Sequence, residues 1–343
     1  MRFVWGFLIA VFSMWSGIFS STGFADNQVV TLAQEVQEKG WIVYSAKTEK
    51  GDWDLFLMRP NGSHVRNITK TPKWNEAAPR FSPDGRKILF RQLKTQQTVS
   101  HDRWGFQGRL VIANADGSHP DVYGKPREYP WAVWSPDGNQ FSCLYPRGVE
   151  IVDVATKRVV RKLPRHGIFQ QLFWSPDGKW FCGTANVGGE NWTIVRLNGI
   201  TGRQNVVSRF QNCTPDWFPD SQRVVFSNRP KGQGGYGWTQ LWMADAEGIG
   251  RSLVYGEDER HIYGGGLSPD GKYVLFTRCP KDGGGSERDG APGGLMRLSN
   301  TPTIGGRSPA LRKKHPNTKD GPVLPLPDCW EPHWTYAELK LGP

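Results

Sequence analysis

The chain has 343 residues, with 41 glycines, 25 prolines and 16 tryptophans, but only 37% hydrophobic and 22% charged residues. That much glycine and proline without a short period excludes a coiled coil, a helical solenoid and a collagen, while the plentiful aromatics point to many short strands rather than to disorder. The net charge of +11 is spread along the chain, and its nearest approach to a basic run, Arg312-Lys313-Lys314-His315, lacks interleaved aromatics, so no specific nucleic-acid binding is expected.

At the N-terminus, Arg2 precedes an apolar run from Phe3 to Phe19, and small residues follow at Gly23 and Ala25. This is the pattern of a secretory signal peptide over residues 1–25. A retained anchor competes with it, because the run is borderline for a span; the small-residue exit favours cleavage. No later segment is apolar enough to cross a membrane, so no span is expected after cleavage. The expected location is periplasmic or secreted. Residues 26–40 form a short lead-in, and Asp26–Lys39 reads as a short helix.

From residue 41 the chain repeats itself. Phe81-Ser82-Pro83-Asp84-Gly85, Trp134-Ser135-Pro136-Asp137-Gly138, Trp174-Ser175-Pro176-Asp177-Gly178 and Leu267-Ser268-Pro269-Asp270-Gly271 share one motif, and Trp217-Phe218-Pro219-Asp220-Ser221 is a decayed copy. Serine suits the first position of a type I turn, proline pre-sets φ at the second, and glycine suits the fourth. Each copy therefore joins two antiparallel strands. A third apolar run follows, as at Leu110–Ala113 or Leu241–Ala244, then a glycine-containing turn and a short fourth strand such as Val159-Val160.

Four short strands per repeat make the blade of a β-propeller. Five motif copies head five blades. A sixth unit starts at Trp41-Ile42-Val43-Tyr44, already at its second strand, and Glu331-Pro332-His333-Trp334-Thr335 looks like the missing first strand. The expected fold is all-β: a six-bladed propeller over residues 41–343, closed by pairing of its N- and C-terminal strands. Such closure removes open sheet edges. Residues 301–327, with six prolines and the basic patch, read as a strap leading to a closing strand at 330–336.

These repeats resemble the WD40-like PD40 repeats of TolB-type six-bladed propellers. The resemblance covers roughly residues 41–300 and 330–336 and implies the fold rather than an activity, because propellers host many unrelated functions. The chain departs from TolB in one respect. About fifteen residues separate the leader from the first strand, which leaves no room for an N-terminal α/β domain.

The topology puts the Ser-Pro-Asp-Gly turns on one face and the longer second-to-third strand loops and blade-to-blade links on the other. Function on a rigid scaffold tends to ride on variable loops, so the long-loop face and its channel mouth are the expected site. His101, Arg103 and Trp104 come from one loop, Glu190 and Trp192 from a second, and Trp238 from a third. His166 and His261 lie in blade-to-blade links, expected near the axis. Aromatics mixed with Arg and His suit a polar, planar or anionic ligand. Innermost strands add Arg80, Gln171, Asp216, Glu331 and His333 near the channel. Ion pairing between blades would use the same residues, and that reading is preferred over ligand binding.

Four of these histidines share the expected face, and the resemblance extends to propeller lyases that act on uronic-acid oligomers through a histidine-bound metal. No H-x-H or H-E-x-x-H spacing supports a metal here. A serine peptidase would need G-x-S-x-G and a second domain, and neither is present. The glycine-rich Lys281–Gly294 stretch lacks the phosphate-loop pattern. Cys143, Cys182, Cys213, Cys279 and Cys329 form no C-x-x-C pair, and Cys143 and Cys182 read as packed core. The expected protein is a non-catalytic binding or scaffolding module for a protein or peptide partner in the cell envelope, with no cofactor and no metal. A metal-assisted lyase or hydrolase on acidic oligosaccharides and a glycan-binding module are the alternatives.

Overall fold

The computed structural model describes residues 21–95, 108–124, 131–229, 239–257, 260–280, 292–298, 322–339 and 341, with the side chains of 21–26 and 280 left aside. A helix, α1 (Ser21–Val36), precedes β1 (Trp41–Lys47), β2 (Trp53–Met58) and β3 (Arg66–Asn67) of blade 1. Blade 2 is β4 (Trp74–Phe81), β5 (Lys87–Lys94), β6 (Arg109–Asn114) and β7 (Asp121–Tyr123). Blade 3 is β8 (Trp131–Trp134), β9 (Gln140–Tyr145), β10 (Gly148–Asp153) and β11 (Val159–Leu163). Blade 4 is β12 (Ile168–Trp174), β13 (Trp180–Val187), β14 (Glu190–Asn198) and β15 (Gln204–Ser208). Blade 5 is β16 (Asn212–Trp217), β17 (Arg223–Asn228), β18 (Gln240–Asp245) and β19 (Ser252–Tyr255). Blade 6 is β20 (Arg260–Leu267), β21 (Tyr273–Pro280), β22 (Pro292–Arg297) and β23 (Val323–Asp328). The last strand, β24 (Trp330–Thr335), returns to blade 1, so that six four-stranded antiparallel sheets form the ring.

The expected closure is present. β24 pairs with β1 in the register Trp41↔Thr335, Ile42↔Trp334 and Val43↔His333. Trp334 is buried, donates from Nε1 to Lys39 O at 2.6 Å, and packs 5.6 Å from the Tyr273 ring of blade 6.

The turn chemistry repeats atom for atom. In the four intact motifs the serine Oγ donates to the aspartate Oδ1 (Ser82 to Asp84 2.6 Å, Ser135 to Asp137 2.5 Å, Ser175 to Asp177 2.6 Å, Ser268 to Asp270 2.7 Å). The same Oγ accepts the N–H of the residue that opens the next strand, at 2.9 Å for Lys87 and 3.0 Å for Gln140. The Ser135 hydroxyl holds the Asp137 carboxyl below its ordinary range. In the decayed copy Phe218 has no hydroxyl to offer, and Asp220 Oδ1 takes the Arg223 N–H instead, at 3.2 Å.

Alternate residues of each strand enter two different cores. Val224 and Phe226 pack towards blade 4 with Cys182 and Ile194, whereas Val225 packs towards blade 6 with Ile262 and Phe276. Both sheet faces are covered, which is why the middle strands read as unbroken apolar runs. All five cysteines are buried, and Cys143 and Cys182 sit in inter-blade cores as expected.

Two boundaries differ from the sequence expectation. The helix runs over Ser21–Val36 rather than Asp26–Lys39. Its Leu32 and Val36 enter the core between blades 6 and 1, and Glu35 bonds Tyr273 and pairs with Arg297. The end of the expected 301–327 strap is strand: Val323–Asp328 is the outermost strand of blade 6, paired to β22. Pro325 and Pro327 are tolerated there because an outer edge strand needs no N–H on its free side. Residues 1–20 of the expected signal peptide and 299–321 of the strap lie outside the described residues. Among the described residues no helix is long and apolar enough to cross a membrane.

Candidate functional site

The channel is built from the innermost strands, and five of them share one irregularity. A residue with positive φ stands four positions before the motif serine or its equivalent: Ala78 (φ 54), Gln171 (φ 52), Thr214 (φ 50), Gly264 (φ 69) and Glu331 (φ 51). The ladders shift register at the same places, between Ala77 and Arg80, Gln170 and Phe173, Cys213 and Asp216, and Tyr263 and Gly266. These are β-bulges, which bend a strand and re-aim its side chains. Pro79, Pro215 and Pro332 follow three of the bulged residues, an acceptable place because the inner edge of the strand faces the channel.

The position two before the serine then forms a waist. In ring order from blade 1 to blade 6 it holds His333, Arg80, Val133, Phe173, Asp216 and Gly266. Arg80, Phe173, Asp216 and His333 line both cavities of the channel. The inner cavity, about 40 Å³, adds Trp131, Tyr263 and Glu331. The second, about 290 Å³, opens on the turn face and draws lining from all six blades. Its rim is Pro83, Pro136, Pro176, Pro219 and Pro269, all exposed, backed by Phe81, Trp134, Trp174, Trp217 and Trp334.

The polar groups of the waist stitch blade to blade. Asp216 receives the N–H of Trp217 at 2.8 Å and of Leu267, in blade 6, at 3.1 Å. His333 Nδ1 accepts the Phe81 N–H of blade 2 at 3.0 Å. Gln171 Oε1 accepts the Thr214 N–H of blade 5 at 2.7 Å, and Arg80 Nη1 donates to Glu331 O of blade 1 at 3.0 Å. Indoles do likewise: Trp134 Nε1 reaches Arg80 O at 3.1 Å, and Trp131 Nε1 reaches Leu172 O at 3.0 Å. Inner-edge backbone groups that would face the channel unpaired are thus satisfied by the neighbouring blade. Sequence reasoning preferred ion pairs between blades at these residues; the inter-blade partners in the bonds above are main-chain groups.

Burial tunes the ionisable members. It pushes the half-buried Asp216 carboxyl up to about 6, against the two backbone N–H bonds and the charge of Arg80. It pulls His333 down to about 3, with Arg80 adding to the effect. The Arg80 guanidinium is lowered by burial, which Glu331 and Asp216 oppose. Its Cζ lies 4.9 Å from the Trp131 ring centroid and 5.1 Å from that of Phe173.

On the long-loop face, His101, Arg103, Trp104 and Trp238 lie outside the described residues. The others do not converge on one point. Glu190 is paired with Arg209 at 2.8 Å, and Trp192 packs edge-on to Phe169 at 5.3 Å. His261 stands on the innermost strand β20, accepts the Thr239 N–H at 3.0 Å, and is lowered to about 4 by burial and by Arg229. His166 is not near the axis. Its Nε2 lies 3.0 Å from Gly202 O in the outer hairpin of blade 4, because the twist of blade 3 swings its last strand outward to the neighbouring rim. Among the described residues no three His, Cys, Asp or Glu side chains gather as metal ligands.

Two features escaped sequence reasoning. The aromatic walls of the waist, Trp131 and Phe173, occupy the same motif-relative positions as Gln171 and Arg80, so the spacing rule that picked out Arg80 would have found them. The second is Glu76 on β4, fully buried, which accepts from Gln92 Nε2 at 2.9 Å and from Thr71. No local pattern marks it.

No family model matches the chain, and no curated protein sequence does. Solved structures do. TolB from Acinetobacter baumannii aligns at TM-score 0.62 and 16% identity, covering 93% of this chain and 74% of that one. A protein assigned as TolB from Agrobacterium tumefaciens aligns at TM-score 0.55 and 18% identity, covering 75% and 84%. A structure of the nidogen/laminin complex aligns at TM-score 0.54 and 10% identity, covering 76% and 90%. At these identities the likeness is one of architecture, and the architecture is a TolB-like six-bladed propeller.

Proposed function

We propose that this chain works outside the cytoplasm as a binding module that captures a segment of a protein partner at the turn-face mouth of its channel. The observation that carries the reading is the mouth itself, a cavity of about 290 Å³ lined from all six blades by tryptophans and exposed prolines. A concave, mostly apolar opening with a few polar groups at its base suits a ligand that buries side chains there. Rigid aromatic and proline surfaces lose little conformational entropy on binding. The export pattern at residues 1–25 supports a location in the cell envelope or beyond. The fold it shares with TolB is compatible with this role.

The test is photo-crosslinking in the native host. A benzophenone amino acid replaces Pro176 or Pro269 at the mouth, and Ile200 on an outer turn serves as control. A discrete protein adduct from the mouth positions and none from the outer turn is the expected result. Equal adducts from all three positions, or none, refute the reading.

A further inference from the structure

We propose that the waist of the channel is a subsite for a single carboxylate, in which Arg80 and His333 together receive one acidic side chain of the segment docked in the mouth. This rests on the mouth being the docking surface.

Arg80 is 5% exposed. Its Nη1 donates to two main-chain carbonyls, Pro79 O at 2.6 Å and Glu331 O at 3.0 Å. Its Nε is buried and has no hydrogen-bond partner among the described residues. No carboxylate among the described residues forms an ion pair with it; Asp216 and Glu331 act on it only at longer range. Trp131 and Phe173, edge-on to each other with centroids 5.6 Å apart, form an aromatic corner against the guanidinium. A buried cation without a directly bonded counter-charge is destabilising, and its planar fork matches a carboxylate.

His333 supplies a second donor. Its Nδ1 accepts the Phe81 N–H, so the neutral ring carries its proton on Nε2. His333 and Arg80 stand at equivalent positions of adjacent blades and line both cavities. The inner cavity, about 40 Å³, has room for a few water-sized groups, whereas the 290 Å³ mouth has room for the residues that carry the acid.

Asp216 sets the charge limit. It stands three blades from Arg80, across the channel, and both its oxygens are already held by backbone N–H groups. Its negative charge opposes a second anionic charge in the narrow waist. The site therefore selects a monoanion and disfavours phosphate or a polyacid.

The test follows the Arg80 Nε–H resonance in the full chain at pH 7 and constant ionic strength. Probes are acetate, acetamide, phosphate, and blocked tripeptides with a central glutamate or a central glutamine. Acetate and the glutamate tripeptide should shift the resonance, the tripeptide at lower concentration, while acetamide, phosphate and the glutamine tripeptide leave it in place. Arg80→Met should weaken acetate binding about tenfold or more. If that variant fails to fold, the wild-type titration decides alone, because the resonance reports on Arg80 directly. No shift with acetate, or an equal shift with acetamide or phosphate, overturns the subsite. Equal affinity for acetate and the glutamate tripeptide overturns the peptide source. Crosslinking from the mouth without a response at Arg80 discards this subsite and keeps the docking reading. An acetate response without crosslinking discards the docking reading and, with it, the docked segment as the source of the acid.

Discussion

Glu76 ties folding to pH. Its carboxyl is fully buried on β4, and burial raises it from an ordinary 4.5 to about 7, against hydrogen bonds from Gln92 and Thr71 and with the Asp54 charge adding to the rise. Oε2 is buried with no hydrogen-bond partner among the described residues, so the charged form is poorly solvated. In the unfolded chain the group ionises near 4.5; in the folded chain it keeps its proton to about 7. Between those values the folded state binds more protons, so stability falls as pH rises through the window and levels off above it. From pH 5 to pH 8 the loss is on the order of 2.5 kcal/mol. Glu76→Gln keeps an oxygen for Gln92 and Thr71 but cannot ionise. Urea unfolding of both proteins at pH 5 and pH 8 isolates the effect, because Asp216 and the histidines titrate alike in each. The wild type should lose about 2.5 kcal/mol more than Glu76→Gln between the two pH values. Parallel losses would refute the assignment of a buried, uncompensated carboxyl.

Ring closure and turn packing give two further tests. Trp334→Ala removes a buried indole and its bond to Lys39 O from the seam between the chain ends, and calorimetry should show a loss of about 4 kcal/mol, with Trp334→Phe keeping most of the packing and losing about 1–2. An unchanged transition in Trp334→Ala would mean that the seam contributes nothing to stability. Gly85 and Gly178 hold the same turn position with φ +70 and +73, but a Cβ on Gly178 meets nothing within 4 Å, whereas one on Gly85 would lie 2.3 Å from the Ala337 Cβ. Gly178→Ala should lose about 1 kcal/mol from backbone strain alone, and Gly85→Ala about 2 or more, as read by urea midpoints. Equal losses would show that the tail at Ala337 does not pack on this turn.

The blade count, the strand order within each blade and the closing strand were legible in the amino-acid order because their chemistry is local. Ser82, Asp84 and Lys87 bond one another within a span of six residues, and the same five-residue motif does so in three other blades. The Trp41–Tyr44 strand lacks such a motif before it and Trp334 lacks one after it, which identifies the two halves of one blade. The channel was not legible in this way. Ala78, Gln171, Thr214 and Glu331 take positive φ without being glycine, and no residue type announces that conformation. Sequence reasoning favoured the long loops because variable loops so often carry function, yet the 290 Å³ opening lies on the side of the short, uniform turns. That opening exists only when five copies of one turn and the end of the closing strand stand in a circle. Arg80 meets Glu331 across 251 residues and Phe81 meets His333 across 252, and contacts of that reach arise from closing the ring, which no stretch of neighbouring residues encodes.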